Sequence, residues 1–167
     1  MDSDESLIAA ARAVLNPRRL STTVEAAGVG AVMRSASGVI CTGLCIDAAS
    51  GIGCCAEHGA VAAMITAGAA RVTDMVAVDW DGSVLAPCGR CRELVVQIDD
   101  ANALTRVILP GGVKTKRALL PDHWLLDRQV LRQRAPWDIQ DRMTWADALF
   151  KSGKLPLHLG PNTHLQS

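Results

Sequence analysis

The sequence predicts an α/β layered fold in which helices cover a largely parallel or mixed sheet. Three observations carry that expectation. Strand-like and helix-like stretches alternate along the chain, the succession that builds layered sheets. The apolar residues are aliphatic and small, with no Tyr and one Phe, so the core is Val, Leu, Ile and Ala. At 167 residues the chain is long enough for one packed domain and a short appendage.

The elements follow in order. Ser3 suits the N-cap of a helix running through Leu15, with Leu7, Ile8, Ala11 and Leu15 on one stripe and Asn16-Pro17 as its end. Val29–Met33 and Val39–Ile46 flank Ser35-Ala36-Ser37-Gly38, a hairpin pattern. Gly51-Ile52-Gly53 forms a loop that delivers Cys55 to the start of a helix from Ala56 to Ala67, which Gly68 stops. Val72–Trp80 reads as a strand turned by Asp81-Gly82. Pro87 precedes a helix from Cys88 to about Ile98. A short strand, Arg106–Leu109, closes at Pro110-Gly111-Gly112, an isolated turn and not a phosphate loop. Beyond Trp124 the pattern changes. Arg128, Arg132, Arg134 and Arg142 fall there, with one helix signal from Thr144 to Lys151 and an extended or disordered end from Leu155 to Ser167.

Charge narrows the partners. Lys plus Arg equals Asp plus Glu at 17 each, so nothing in the balance suggests a grip on a phosphate backbone. The acidic start, Met1-Asp2-Ser3-Asp4-Glu5, lacks the basic region of a signal peptide. No apolar run reaches the roughly 20 residues that span a bilayer. Six cysteines without a secretion signal point to a reducing, cytoplasmic setting where thiols serve metal or packing.

The chemistry concentrates in Cys55-Ala56-Glu57 and Pro87-Cys88-Gly89-Arg90-Cys91. Three cysteines at two helix starts can hold one Zn²⁺, because the partial positive charge there favours thiolate. Three protein ligands leave a fourth position for water, the pattern of a catalytic zinc. Glu57 lies too near Cys55 in sequence to be a comfortable second ligand and suits acid–base work. The motif therefore reads as a zinc hydrolase that attacks an amidine-like carbon. The alternatives are a closed site with Cys54, Cys45 or His58 as fourth ligand, and a thioredoxin-like redox pair at Cys88 and Cys91. The partner motif at Cys55 and Glu57 argues against the redox pair.

Cys-Ala-Glu followed by Pro-Cys-Gly-Arg-Cys-Arg resembles the cytidine deaminase superfamily, closest in its free-nucleoside and blasticidin S branches. The resemblance extends from about residue 4 to Trp124. It implies a three-layer α/β/α fold with a mixed, about five-stranded sheet, a zinc deaminase domain over 1–124, and an extension of unassigned role over 125–167. It also implies one Zn²⁺ per subunit, with its water, on Cys55, Cys88 and Cys91. Glu57 would shuttle protons from that water to the ring nitrogen and then to departing ammonia. The Ala56 N–H would hold the oxygen of the transition state, and the Ala86 carbonyl would accept from the substrate amino group. The substrate implied is a cytosine-like nucleoside or related amino-heterocycle, a small molecule and not a nucleic-acid polymer. Leu119-Leu120-Pro121-Asp122-His123-Trp124 resembles a family ending whose aromatic reaches a neighbouring subunit's pocket, which implies a homotetramer.

Some positions depart from that pattern. Thr42-Gly43-Leu44-Cys45-Ile46-Asp47 puts Cys45 and Asp47 where nucleoside deaminases carry the Asn and Glu that bind ribose. A thiol is a weak donor, so sugar recognition is altered. The ring that stacks on the pyrimidine falls near Ala27. His58 stands where many three-cysteine members have Arg, so His58, Arg90 or Arg92 is expected to offset the thiolate charge. Cys41, Gly43 and Cys45 share one strand face. Met64 and Ile65 belong to a buried helix face, and Trp80 to turn packing. A blasticidin S-type deaminase and a non-catalytic, zinc-stabilised binding protein are the alternative functions.

Overall fold

The computed structural model describes residues 3–124. The extension from 125, with the helix expected from Thr144 to Lys151 and the end from Leu155, lies outside the described residues. The first helix, α1 (Asp4–Ala13), starts where its sequence places the cap: the Ser3 hydroxyl accepts the Ser6 N–H at 3.2 Å. Asp4 and Glu5 occupy the first turn, where the helix end is positive. The helix stops short of the expected Leu15, and the Asn16 N–H goes instead to the Ala27 carbonyl at 3.2 Å.

Seven strands form one mixed sheet: β1 (Arg18–Arg19), β2 (Val24–Ser35), β3 (Ile40–Ala48), β4 (Val72–Val78), β5 (Val84–Leu85), β6 (Arg106–Leu109) and β7 (Gly112–Thr115). Five of them have four or more residues, in keeping with the expected sheet, and β1 and β5 are two-residue additions. β2 runs antiparallel to β1, β3 and β4; β4 is parallel to β6 and antiparallel to β5; β6 is antiparallel to β7. The turn at Ser35–Gly38 joins β2 to β3 as the pattern predicts, with Gly38 at φ +86°.

The other helices are α2 (Ala56–Thr66), α3 (Gly89–Ile98) and the single turn α4 (Lys116–Leu119). Strand alternation sorts the core into two faces. Val32, Val76, Val78 and Ile108 pack with Leu7, Ile8 and Ala11 of α1. Met33, Met75 and Val107 pack with Val61 and Met64 of α2 and Val95 of α3. The result is the α/β/α sandwich. Gly43 lets α2 lie on β3: a Cβ there would meet the Ala56 carbonyl and the Ala60 nitrogen, both backbone atoms that cannot yield. Buried Asn102 ties the end of α3 to the start of β4. Its Oδ1 accepts from Val72 N–H at 2.7 Å, and its Nδ2 donates to the Ala70 and Val95 carbonyls at 3.0 Å. Leaving such groups unpaired costs about 1–3 kcal/mol each.

Two expectations are corrected. The buried stripe of α2 runs through Ala56, Glu57, Ala60, Val61 and Met64, so Ile65 falls one residue off it and is 53% exposed. β4 ends at Val78, and Trp80 projects from the following turn at 70% exposure instead of packing on it.

Candidate active site

The helix starts fall into two kinds. α1 and α4 are capped by hydroxyls, Ser3 and Thr115. α2 and α3 carry Cys55 and Cys88 at the N-cap, with no side-chain cap hydrogen bond. Those sulfurs are left to each other and to Cys91, in the first turn of α3. Cys55 Sγ is 3.7 Å from Cys88 Sγ, and Cys88 Sγ is 3.4 Å from Cys91 Sγ. All three lie within 4.8 Å of one another. A tetrahedral ion with zinc–sulfur bonds of ~2.3 Å spaces its ligands by ~3.8 Å, so the donor set and its spacing fit Zn²⁺.

Protonation follows the surroundings. Burial, then Glu57, pushes the Cys91 thiol far up, and burial also raises Cys55. Burial acts against Cys88 as well, but the Cys91 N–H and the neighbouring thiols outweigh it and lower its pKa. Cys88 is thus the easiest of the three to ionise. The fourth ligands considered for a closed site do not join the group. Cys45 Sγ accepts from Val29 N–H at 3.1 Å and donates to Asp47 Oδ2 at 3.4 Å. Cys54 pairs through its backbone with Ile46 at 2.9 Å. His58 Nε2 is buried with no partner. Among the described residues the cluster stays at three, which keeps a coordination position open.

Beside the sulfurs opens a cavity of about 450 Å³. Cys55 and Cys88 sit in its wall with Glu57, and Ala56, Ala86, Cys45 and Asp47 line it too. Glu57 is only 5% exposed, yet its carboxylate makes no hydrogen bond or ion pair among the described residues. Trp124 is not among the lining residues. It is 54% exposed, and its N–H reaches Glu93 Oε2 at 3.4 Å. Ala27, in the place of the stacking ring, is fully buried and lines nothing. It sits at φ +63° in a bulge that gives β2 two extra residues between Ala26 and Gly30. The bulge turns Val29 toward the cavity and its N–H toward Cys45. Val29 read only as the start of a strand, because a bulge that aims it at the cavity is visible only once strands are paired.

The expected counter-cations sort themselves out. Burial and then the Arg90 guanidinium draw the His58 imidazole below its ordinary pKa, which works against a positive charge there. Arg92 spends Nε on the Pro87 carbonyl at 2.7 Å and Nη1 on the Leu119 carbonyl at 3.0 Å. Arg90 lines the exposed mouth of the cavity. Lys116, which sequence reasoning passed over, is fully buried behind Cys91. Burial draws its pKa down to about 8, against the pull of Glu57 and Cys91. Its spacing to Leu119 and Leu120 on one helical face is the signal that was available.

A carboxylate that makes no hydrogen bond among the described residues, set on a cavity wall beside three clustered sulfurs, suits chemistry in which protons move next to a metal. On an α/β/α sandwich this defines a hydrolase of the zinc-dependent aminohydrolase class. No family model matches the chain. It is 34% identical over 102 residues to a cytidine deaminase of Mycobacterium tuberculosis, covering 59% of this chain and 74% of that one. The fold matches the crystal structure of cytidine deaminase from Mycobacterium leprae with a TM-score of 0.61 at 30% identity, over 72% of this chain and all of that one. The enzyme from Burkholderia pseudomallei matches with a TM-score of 0.59 at 26% identity, over 74% of this chain and all of that one. The chain belongs to the cytidine deaminase family. Among the described residues no helix is long and apolar enough to cross a membrane.

Proposed function

We propose that this enzyme hydrolyses the exocyclic amine of a cytosine-like nucleoside or a related small heterocycle, releasing ammonia. The single observation behind this reading is the unpaired Glu57 carboxylate on the cavity wall beside three clustered thiols. Cys55, Cys88 and Cys91 would hold one Zn²⁺ per chain. When bound, the metal supplies a Lewis acid that makes water acidic near neutral pH. Glu57 takes a proton from the water that adds to the substrate carbon and hands it to the adjacent ring nitrogen. It then passes a second proton to the amino nitrogen as the C–N bond breaks. Water and the amine leave as a ring carbonyl and ammonia. The Ala56 N–H, at the first residue of α2, donates to the oxygen being added, and the Ala86 carbonyl accepts from the amino group before it leaves.

Recognition beyond the ring falls to Cys45 and Asp47. The Cys45 thiol is already engaged by Val29 and Asp47, which leaves the exposed Asp47 carboxylate as the polar group for a sugar hydroxyl. Together with the missing ring at Ala27, this favours a substrate other than plain cytidine, and a blasticidin S-type deaminase is the second reading. Trp124 would contribute to a neighbouring chain's pocket in a homotetramer. Residues 1–124 form the deaminase domain, 125–167 an extension, and the cytoplasm is the proposed location.

The test is ammonia release by zinc-loaded protein from cytidine, deoxycytidine, cytosine, blasticidin S and aminated purines and pterins. Turnover of cytidine makes Cys45 and Ala27 tolerated replacements. Turnover of another ring alone assigns those two positions to a changed specificity. Silence on all of them moves the chain toward a zinc-stabilised binding protein. Sedimentation of the full chain tests the tetramer.

A further inference from the structure

One buried ammonium is without the partner that its burial demands. Lys116 has no exposed surface. Its Nζ meets the Met75 thioether at 3.3 Å and the Cys91 carbonyl at 3.5 Å, and no carboxylate forms an ion pair with it among the described residues. A thioether is a weak acceptor, and a carbonyl at that distance is a marginal one. A charge taken wholly out of water persists only where opposite charge lies close by. The charged and ionisable groups that act on Lys116 are Glu57 of α2, Cys88 and Cys91 at the start of α3, and Arg92, which opposes it.

We infer that Lys116 is the counter-charge of the cysteine cluster, a positioning residue that acts through Cys91 from the buried side to hold a three-thiolate zinc site. The inference rests on the proposed zinc site. Three thiolates around a divalent ion leave one net negative charge, and one ammonium cancels it. The Arg92 N–H groups noted above are engaged with carbonyls and Arg90 lies at the exposed cavity mouth, so on the buried side of the cluster the charge falls to Lys116. Lys116 enters between Met75 on β4 and Cys91 on α3, which places its charge behind the ligands and out of the substrate cavity. The bland alternative is a lysine that fills core volume and donates one hydrogen bond to a helix carbonyl. A neutral replacement separates the two readings, since it would improve a packing-only site and weaken a charge-balancing one.

The experiment compares wild type with Lys116→Met, Lys116→Gln and Lys116→Arg. Zinc affinity is read by competition with a chromophoric chelator, the thiolate-to-metal charge-transfer band by loading Co²⁺, and stability by melting the metal-free proteins. Expected is a zinc affinity about 10–100-fold weaker in Lys116→Met and Lys116→Gln. A weaker Co²⁺ band, affinity regained in Lys116→Arg, and metal-free melting temperatures no lower than wild type should accompany it. Wild-type affinity in Lys116→Gln overturns the inference, because the hydrogen bond is kept and the charge is gone. So does a loss of affinity in all three variants that tracks a lower metal-free melting temperature. Should Lys116→Met fail to fold, Lys116→Gln carries the decision. If the wild-type protein itself holds no zinc, the metal-site reading fails before Lys116 is tested.

Discussion

Among the described residues two carboxylates are buried, and they are treated in opposite ways. Asp74, 3% exposed on β4, is held by Arg34 Nη2 at 2.8 Å and by Arg106, which also reaches Asp4 at 3.1 Å. Burial alone would raise its pKa, but hydrogen bonds from Arg34, Thr73 and Arg106 outweigh that and hold it below the ordinary carboxylate range. Glu57, 5% exposed on α2, has no such company among the described residues. Burial is the same and partners differ. A carboxylate tied to two guanidiniums contributes to stability and can do little else. One without such partners on a cavity wall is open to a bound molecule.

The largest expected effect sits at the free carboxylate. Glu57→Gln should cut ammonia release by about 10²–10⁴-fold, the range for losing a general acid–base group. Its zinc content and melting temperature should remain those of wild type. A variant that keeps more than a tenth of the rate would remove Glu57 from the proton path.

At the tied carboxylate the sign reverses. Asp74→Asn should leave the chemistry in place and cost about 1–3 kcal/mol of stability, because it removes the buried charge that accepts from Arg34 and Arg106. The pH dependence separates the two residues further. A depressed folded pKa gives stability that is complete above the unfolded value of about 3.9 and fades as pH falls through the folded value. The melting-temperature gap between wild type and Asp74→Asn should therefore be widest near neutral pH and shrink below about pH 4. A gap that is flat across that range would count against Asp74 as a stabilising anion.

Gly43→Ala comes next. Its Cβ would run into α2 backbone, and overpacking of this kind costs about 1–3 kcal/mol. Because α2 carries Cys55, weaker zinc retention should accompany the lower melting temperature. An unchanged chelator competition curve would show that α2 can shift without moving the ligand. The smallest effect belongs to Cys45, a group satisfied within the wall. Cys45→Asn should raise kcat/KM for cytidine by about 3–10-fold, the worth of one hydrogen bond of about 0.5–1.5 kcal/mol. No gain, or a gain on every ring tested alike, would detach Cys45 from sugar recognition.

Most of the thiol cluster could be read directly, and the reason is local. Cys88 and Cys91 are separated by two residues at a helix start, so their proximity is fixed by backbone geometry in any fold that forms the helix. The helix boundaries at Ala56, Gly68 and Gly89 were legible for the same reason, since caps and breakers act within one turn. The short strands β1, β5 and β7 were not. Two to four residues, exposed in β1 and β7 and half-buried in β5, carry no alternation, and their partners lie elsewhere in the chain. Lys116 was hidden more deeply. In Lys114-Thr115-Lys116-Arg117 it reads as one of several solvated charges.

By itself, then, the sequence determined the chemistry on offer: three thiols and a carboxylate at two helix starts, an aliphatic core, and a balanced surface charge. These follow from residue identity and from spacings of a few residues. Tertiary structure decided which groups remain available. It brought Cys55 to the Cys88–Cys91 pair across thirty-odd residues, engaged Asp74 and freed Glu57, and put Lys116 where water cannot reach it. Those outcomes depend on burial and on partners distant in the chain, and no local pattern encodes either.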